Sequence, residues 1–468
     1  MKSSSLVPSS AVKYTFMHGG NMRTILKNFH LVDEQYNTPG TLIIENGFIS
    51  TVLTDAYKGT VIENLSLSED DDVTMVINGK ALSSSNELPL LMPAFVDLHA
   101  HFRDPGPSQE NASLPAEVLE SASLSAAAGG FGTVVCMANT TPPIDTIEKA
   151  AALKHRSDAL GIIDLYPVLS LTKNMEGKEL SEITLLSPDG GPYLPPMLSE
   201  DGKDFADDDL FLAAMKEAKR LDIPISCHCD LGGDENSAVR RVIELGKKAD
   251  CRIHIAHVST KEAIDMIYQE QQDNLLWFDS PNYKVEPNFA LTGEATPHHL
   301  CLTEEDAKKL GEKTWGRVNP PLRSEEDRQA LMHSLTYGVV EAIATDHAPH
   351  TAVGKEAGAP GFSGFETAFA VVYTELVRGG TGIDLKRLSS LMSASPARLL
   401  RLDGGSQGRG RLIQGDRADL VIIDPAAEWT VKPSLFKTRG KNSPFKGRKI
   451  YGKILMTLHG GRVVFQCN

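Results

Sequence analysis

Histidines and one aspartate close several short apolar runs in the middle of the sequence. The runs and their last residues are LLMPAFVDLHAH with His99 and His101, IPISCH with His228, RIHIAH with His257, and EAIATD with Asp346. A strand places alternate side chains on one face, so His99 and His101 point the same way. Imidazole and carboxylate together are typical ligands of Zn²⁺ and similar divalent ions. The pattern therefore predicts a metal site.

Three further histidines lie close to these runs. His254 precedes His257 by an odd number of residues, so in a strand it faces the other side and is expected to be a buried, hydrogen-bonded residue. His299 in TPHHL and His347 in TDHAPH also stand near run ends, and we expect them to support the ligands by hydrogen bonds.

The elements that carry these residues alternate along residues 91–402. Short apolar runs such as GTVVCMAN and IIDLYPVLS are each followed by a helical or loop segment. This alternation predicts a parallel sheet with crossover helices. One (β/α)8 barrel fits a segment of this length, and an open doubly wound sheet is the alternative. In a barrel the reactive groups gather at the carboxyl ends of the strands, where the histidines stand.

The two ends of the chain have a different texture, with short β-branched runs. TLIIENGFISTV has two apolar stretches around Asn46-Gly47, which predicts a hairpin, and ILMTLHGGRVVF turns at Gly460-Gly461. Residues 1–21 lack the continuous apolar core of a secretory signal. We expect them to be a disordered extension ahead of Met22.

Composition limits the class of ligand. The 468 residues include 47 Lys and Arg against 61 Asp and Glu, a net charge of −14. This balance argues against broad binding of nucleic acid or anionic membranes, so a small-molecule ligand is expected. No apolar run is long enough to cross a bilayer. The six cysteines form no C-x-x-C pair, which favours a reducing cytoplasm.

The motifs DLHAHFRDPG, ANT, HVSTKEA, ATPHHL, VNPPLRSEEDR and ATDHAPHT occur in one order along the chain. With them the sequence resembles the bacterial single-function dihydroorotases of the amidohydrolase superfamily. The resemblance implies a (β/α)8 TIM-like barrel over residues 91–402. It also implies a small β-sandwich domain built from both termini, residues 22–90 and 403–468.

The same resemblance implies two Zn²⁺ ions, other divalent ions being possible. His99, His101 and Asp346 would hold one ion, and His228 and His257 the other. The bridging ligand would come from Ser199-Glu200-Asp201-Gly202, where the related enzymes have an Asp-Asp-Gly step. Asp201 is carried over as the bridge, but Glu200 replaces an aspartate, so either carboxylate is a candidate.

Further residues are assigned by motif to catalysis and substrate binding. Asp346 would act as the catalytic proton shuttle between the attacking water and the leaving amide nitrogen. Arg103 offers a planar fork of donors suited to a substrate carboxylate. The other implied substrate contacts are Asn139, Asn319, His350, Gly361 and Phe362. The Gly-rich segment 351–364, which contains the last two, is predicted to be a mobile lid.

The implied reaction is the reversible cyclisation of N-carbamoyl-L-aspartate to L-dihydroorotate in pyrimidine biosynthesis. An allantoinase or hydantoinase is the first alternative, but such enzymes are expected to lack Arg103 and to use a bridging lysine. A non-catalytic scaffold subunit is the second, and it would have lost ligand residues, all of which are present here. The resemblance also implies a homodimer and a contact with aspartate carbamoyltransferase.

Overall fold

A computed structural model gives the fold of residues 12–14, 23–54, 74–106, 115–203, 205–278 and 290–467. The strands in chain order are β1 Val12–Tyr14, β2 Arg23–Val32, β3 Asn37–Glu45, β4 Phe48–Thr54, β5 Thr74–Asn78, β6 Leu90–Pro93, β7 Phe95–Ala100, β8 Phe131–Cys136, β9 Asp164–Pro167, β10 Leu198–Ser199, β11 Ile225–Cys227, β12 Ile253–Ile255, β13 Leu291–Ala295, β14 Ala342–Ile343, β15 Leu420–Thr430, β16 Lys449–His459 and β17 Arg462–Gln466.

The barrel is a closed ring of parallel strands, β7 to β14. Strands β7 to β9 form one arc and β10 to β14 form another. Two backbone hydrogen bonds join the arcs: the N–H of Ser199 donates to the carbonyl of Leu169 at 3.3 Å, and the N–H of His101 to that of His347 at 2.8 Å. Because the ring closes, the barrel is confirmed and the open sheet is excluded.

Helices connect and cover these strands. They are α1 Leu119–Ala128, α2 Ile147–Leu160, α3 Asp208–Leu221, α4 Glu235–Ala249, α5 Lys261–Phe278, α6 Pro297–Cys301, α7 Glu304–Leu310, α8 Glu325–Tyr337, α9 Ala352–Glu356, α10 Ala368–Val372, α11 Leu385–Ser389 and α12 Ser395–Leu399.

Helix α3 shows how the sequence sets such boundaries. The Asp207 side chain accepts hydrogen bonds from the N–H groups of Asp209 and Leu210, satisfying donors that have no partner inside the helix. Lys219 and Arg220 in the last turn complement the helix dipole. The helix ends at Leu221, and the next residue, Asp222, has a left-handed backbone with φ of 55°.

The remaining strands come from both ends of the chain and pair into one sheet. Its order is β1-β5-β2-β6-β15-β16-β17, and β3 and β4 extend it from β2. The predicted Asn46-Gly47 turn joins β3 to β4, and both residues have positive φ. A Cβ on Gly47 would lie 2.9 Å from the carbonyl oxygen of Gly460, so the two predicted turns touch. N- and C-terminal strands share a second apolar core, as expected for a domain built from both termini.

Two observations bear on the predicted boundaries. Strand β6 pairs with β15, so the terminal sheet runs to Pro93 and the barrel begins with β7. Most of residues 1–21 lie outside the described residues, although Val12–Tyr14 pairs antiparallel with β5. In the described part of the chain, no helix combines the length and apolar character needed to cross a membrane.

Candidate active site

The six side chains predicted to bind metal meet at the carboxyl ends of the barrel strands. His99 lies in β7 and His101 just after it, while the others follow β10, β11, β12 and β14: Asp201, His228, His257 and Asp346. His228 is partly exposed, and the other five are buried. Closure of the barrel therefore brings together residues from five strands.

Asp201 lies in the middle of this cluster. Its Oδ1 is 3.3 Å from His99 Nε2, and its Oδ2 is 3.5 Å from His101 Nε2. The same Oδ1 is also 3.5 Å from His228 Nδ1 and 3.8 Å from His257 Nε2. One carboxylate thus faces all four imidazoles.

Asp346 lies against the first pair of histidines. Its Oδ1 is 3.1 Å from His101 Nε2 and 3.7 Å from His99 Nε2. The cluster contains two groups of three residues whose ligand atoms all lie within 4.8 Å of one another. One is His99 with His101 and Asp346, and the other is His99 with Asp201 and His257. His228 adjoins the second group, with its Nδ1 3.0 Å from His257 Nε2.

The electrostatics of the cluster suit a cation. Burial opposes ionisation of Asp201, but the charge of His99 and the nearby imidazoles of His228 and His257 hold its pKa well below the usual value. Burial likewise opposes ionisation of Asp346, and His101 and His99 lower its pKa. His99 Nε2 and Asp201 Oδ1 are buried and have no hydrogen-bond partner, although they face each other. Buried polar atoms without hydrogen bonds are rare, and a shared metal ion would satisfy both.

The structure separates the roles of Glu200 and Asp201. The Glu200 carboxylate turns away from the cluster, where its Oε2 accepts hydrogen bonds from the N–H groups of Leu171 at 2.7 Å and Thr172 at 3.1 Å, and Oε1 accepts one from the Thr172 hydroxyl. It therefore holds the loop after β9. Asp201 alone of the two faces the histidines.

Glu294, in β13, is a functional residue that the sequence analysis missed. Its carboxylate is fully buried and accepts hydrogen bonds from His99 Nδ1 at 2.8 Å and His254 Nε2 at 3.1 Å. Burial opposes its ionisation, but these two histidines lower its pKa to about 2. An ionisable residue within a buried strand was the available signal. Glu294 orients His99, and His254 is buried and hydrogen-bonded as predicted.

His299 and His347 are hydrogen-bonded to other parts of the protein. His299 Nε2 is 3.0 Å from the Pro320 carbonyl oxygen and so supports the turn that carries Asn319. His347 Nδ1 accepts a hydrogen bond from the N–H of Gly364 at 3.1 Å. Among the described residues, neither imidazole is hydrogen-bonded to a predicted ligand. His347 contacts a predicted ligand only through its backbone: its carbonyl accepts a hydrogen bond from the N–H of His101.

Arg103 is the predicted substrate contact with a free side chain. Its guanidinium has no hydrogen bond or ion pair with any described residue, and Asp104, the neighbour that could have paired with it, instead binds Arg156 through two hydrogen bonds of 2.7 and 2.9 Å. Burial lowers the pKa of Arg103, while the charges of Asp346 and Asp201 raise it. A half-buried cation next to the cluster, without an ion pair among the described residues, is suited to an anionic ligand.

The other predicted substrate contacts already have partners within the protein. Asn139 accepts from His101 Nδ1 at 2.8 Å and donates to Asp201 Oδ2 at 3.1 Å. Asn319 Nδ2 is 3.1 Å from His228 Nε2 and donates to Asp230. Both amides therefore help to orient predicted metal ligands.

His350 and the segment 351–364 form another side of the site. His350 Nε2 donates to the Pro360 carbonyl at 2.7 Å, and burial lowers its pKa to about 3, so the ring is neutral. Phe362 is buried against His298, with ring centroids 5.3 Å apart. The Gly361 N–H donates to the Arg317 carbonyl. The segment predicted as a lid is thus hydrogen-bonded to the rest of the protein.

Comparison with known proteins identifies the class. The amidohydrolase family profile matches residues 90–464, and the chain belongs to this family. A dihydroorotase of Clostridium botulinum (strain Eklund 17B / Type B) is 34% identical over 453 residues, covering 95% of this chain and 100% of that protein. A dihydroorotase of Caldanaerobacter subterraneus subsp. tengcongensis is 32% identical, covering 91% and 98%.

Solved structures with the same fold include hydantoinases. L-hydantoinase (dihydropyrimidinase) from Arthrobacter aurescens aligns with a TM-score of 0.75 at 24% identity, covering 95% of this chain and 96% of that one. A D-hydantoinase aligns with a TM-score of 0.75 at 20% identity, covering 95% of each chain. At these identities the likeness shows the fold. The family match and the relatives' names identify the chain as an enzyme, a cyclic amide hydrolase that acts on a small molecule.

Proposed function

We propose that this enzyme is a metal-dependent dihydroorotase that interconverts L-dihydroorotate and N-carbamoyl-L-aspartate. The observation that carries the proposal is Arg103, a half-buried guanidinium that has no hydrogen bond or ion pair with the described residues and lies beside the histidine and aspartate cluster. Dihydroorotate carries a carboxylate on its ring, whereas the rings of hydantoin and dihydrouracil do not. The similarity to curated dihydroorotases over most of the chain supports the same substrate.

The donor set fits two divalent ions, and four imidazoles with two carboxylates favour zinc. His99, His101 and Asp346 would hold one ion, and His228 and His257 the other. Asp201 would be a ligand of both, because its Oδ2 faces His101 of the first set and its Oδ1 faces His228 and His257 of the second. When bound, such ions lower the pKa of a shared water and polarise a substrate carbonyl.

The protein's own residues would supply orientation and proton transfer. Arg103 would bind the substrate carboxylate through two parallel hydrogen bonds and so fix the ring above the cluster. Asp346 is ionised at neutral pH, as a base must be, and is hydrogen-bonded to His101. It would take the proton from the attacking water and pass it to the ring nitrogen as the amide bond breaks. In the cyclising direction the proton moves the other way and water leaves.

A panel of substrates tests this proposal against the hydantoinase alternative, the activity named for the solved structures with the same fold. Ring opening of dihydroorotate, dihydrouracil, hydantoin and allantoin is followed in the ultraviolet with zinc-loaded protein. We expect dihydroorotate to have by far the highest kcat/KM. A preference for an uncharged ring, unaffected by Arg103→Ala, would instead support the alternative. The homodimer, the contact with aspartate carbamoyltransferase and the cytoplasmic location stay predictions of the resemblance.

A further inference from the structure

Lys355, in the short helix α9, is a buried lysine with no assigned role. Its side chain is fully buried, although Val353 in the same helix is 74% exposed. The ammonium donates to three backbone carbonyls, those of Arg317 at 2.9 Å, Ala359 at 2.8 Å and Gly361 at 3.0 Å. An ammonium has three N–H donors, so each has an acceptor.

The environment of this ammonium is unusual for a lysine. No carboxylate of the described residues forms an ion pair with it, and the Phe362 ring centroid lies 5.2 Å from Nζ. Burial lowers its pKa to about 8. Burying a charge without a counter-ion is costly, so the three carbonyl dipoles and the aromatic ring must compensate for lost hydration. We expect such a costly arrangement where the lysine holds neighbouring segments of the chain in a geometry that the site requires.

The three carbonyls belong to two segments, each of which contacts a predicted site residue. Arg317 precedes Asn319, whose amide contacts His228 of the cluster. Ala359 and Gly361 flank Pro360, whose carbonyl fixes His350. The Gly361 N–H also donates to the Arg317 carbonyl, at 3.0 Å. Lys355 is therefore the side chain through which helix α9 binds both segments.

We propose that Lys355 is a positioning residue that holds segment 359–362 against the turn at 317–319 and so fixes His350 and Asn319 around the substrate. The segment predicted to be a lid then forms a preset wall of the site. The proposal rests on the proposed function only for the identity of the substrate. It requires hydrogen-bond donation and positive charge at this point, which an apolar side chain of similar length does not supply.

The test compares Lys355→Met with Lys313→Met, the same substitution at an exposed lysine. We expect Lys355→Met to keep its metal content and to lose about 10- to 100-fold in kcat/KM for dihydroorotate, mostly through KM, because small displacements of positioning groups have effects of this size. Lys313→Met should match the wild type. Hydrogen exchange of peptides spanning residues 357–362 should become faster in Lys355→Met alone.

Two outcomes would overturn the proposal. One is a Lys355→Met enzyme with wild-type KM and wild-type exchange in that segment. The other arises if Lys355→Met misfolds and Lys355→Ala is used instead. The activity of Lys355→Ala should be restored by n-propylammonium and not by n-propanol, and absence of rescue would leave only a structural role. If the wild type does not act on dihydroorotate but exchange still depends on Lys355, the proposed function fails and the positioning role stands.

Discussion

Glu294→Gln removes one negative charge behind the cluster and keeps the shape of the side chain. In the wild type, Oε1 is 2.8 Å from His99 Nδ1 and Oε2 is 3.1 Å from His254 Nε2. In the variant, the amide oxygen can still accept from His99 Nδ1, and the amide nitrogen can donate to His254 Nε2. His254 would then carry its proton on Nδ1, next to the Thr292 hydroxyl. The substitution therefore tests the charge and not the packing.

The expected size follows from these two contacts. A hydrogen bond to an ionised group contributes about 1.5–3 kcal/mol, roughly twice as much as a neutral one. Replacing the carboxylate by an amide should therefore cost about 1 kcal/mol at each contact, or about 2 kcal/mol in total. Since about 1.4 kcal/mol corresponds to a factor of ten, zinc affinity should fall about 30-fold. Residues that hydrogen-bond metal ligands typically change affinity by about 10- to 100-fold.

The assay is a titration of metal-free protein with Zn²⁺ in competition with a chromophoric chelator. Glu341→Gln is the matched control, because Glu341 is a partly buried glutamate just before β14, at the opposite end of that strand from Asp346. Zinc affinity of the control should equal that of the wild type. If Glu294→Gln binds zinc within twofold of the wild type, the role assigned to Glu294 is wrong.

Four other predictions concern the site and the pH dependence of stability. Asp346→Asn should lower kcat by about 10²- to 10⁴-fold, and turnover close to wild type would contradict the proton-transfer role. Arg103→Lys should lower kcat/KM for dihydroorotate by about 10- to 100-fold, because lysine keeps the charge but not the planar fork, whereas unchanged steady-state kinetics would dismiss carboxylate binding. Removal of metal by a chelator should lower the melting temperature, by an amount corresponding to about 2.7 kcal/mol if zinc had been at 100 times its Kd, and added zinc should restore it; an unchanged melting curve would count against a metal centre. Burial raises the pKa of Glu366 from 4.5 to about 7, so the folded state binds more protons than the unfolded state between these values and stability falls as pH rises through this window. Glu366→Gln should remove up to about 3 kcal/mol of that decline, which denaturant unfolding at pH 5 and pH 8 will measure, and an equal decline in both proteins would refute the assignment.

Residues whose position follows from local pattern were predictable from the sequence. The alternation of His99 and His101 follows from the period of a strand, and the Asn46-Gly47 turn follows from its residue types. The placement of His228, His257 and Asp346 at strand ends needed only the rule that barrel loops on that side carry the chemistry. The resemblance supplied Asp201.

Contacts between distant segments were not predictable in the same way. Glycine content indicated a lid at residues 351–364, but burial of Lys355 against carbonyls from two segments depends on how the loops meet. Glu200 and Asp201 are adjacent acids in the sequence, and only the direction of each side chain separates a residue that holds a loop from one that faces the histidines.

The sequence by itself determined the strands, the turns and the residue types that can bind metal, because these depend on periodicity and on the chemistry of each side chain. Only the tertiary structure decided which of those side chains meet. Glu294 in β13 reaches His99 in β7 across the interior of the barrel, and these strands are not neighbours in it. That contact exists because the ring of strands closes, and closure is a property of the whole fold and not of any segment.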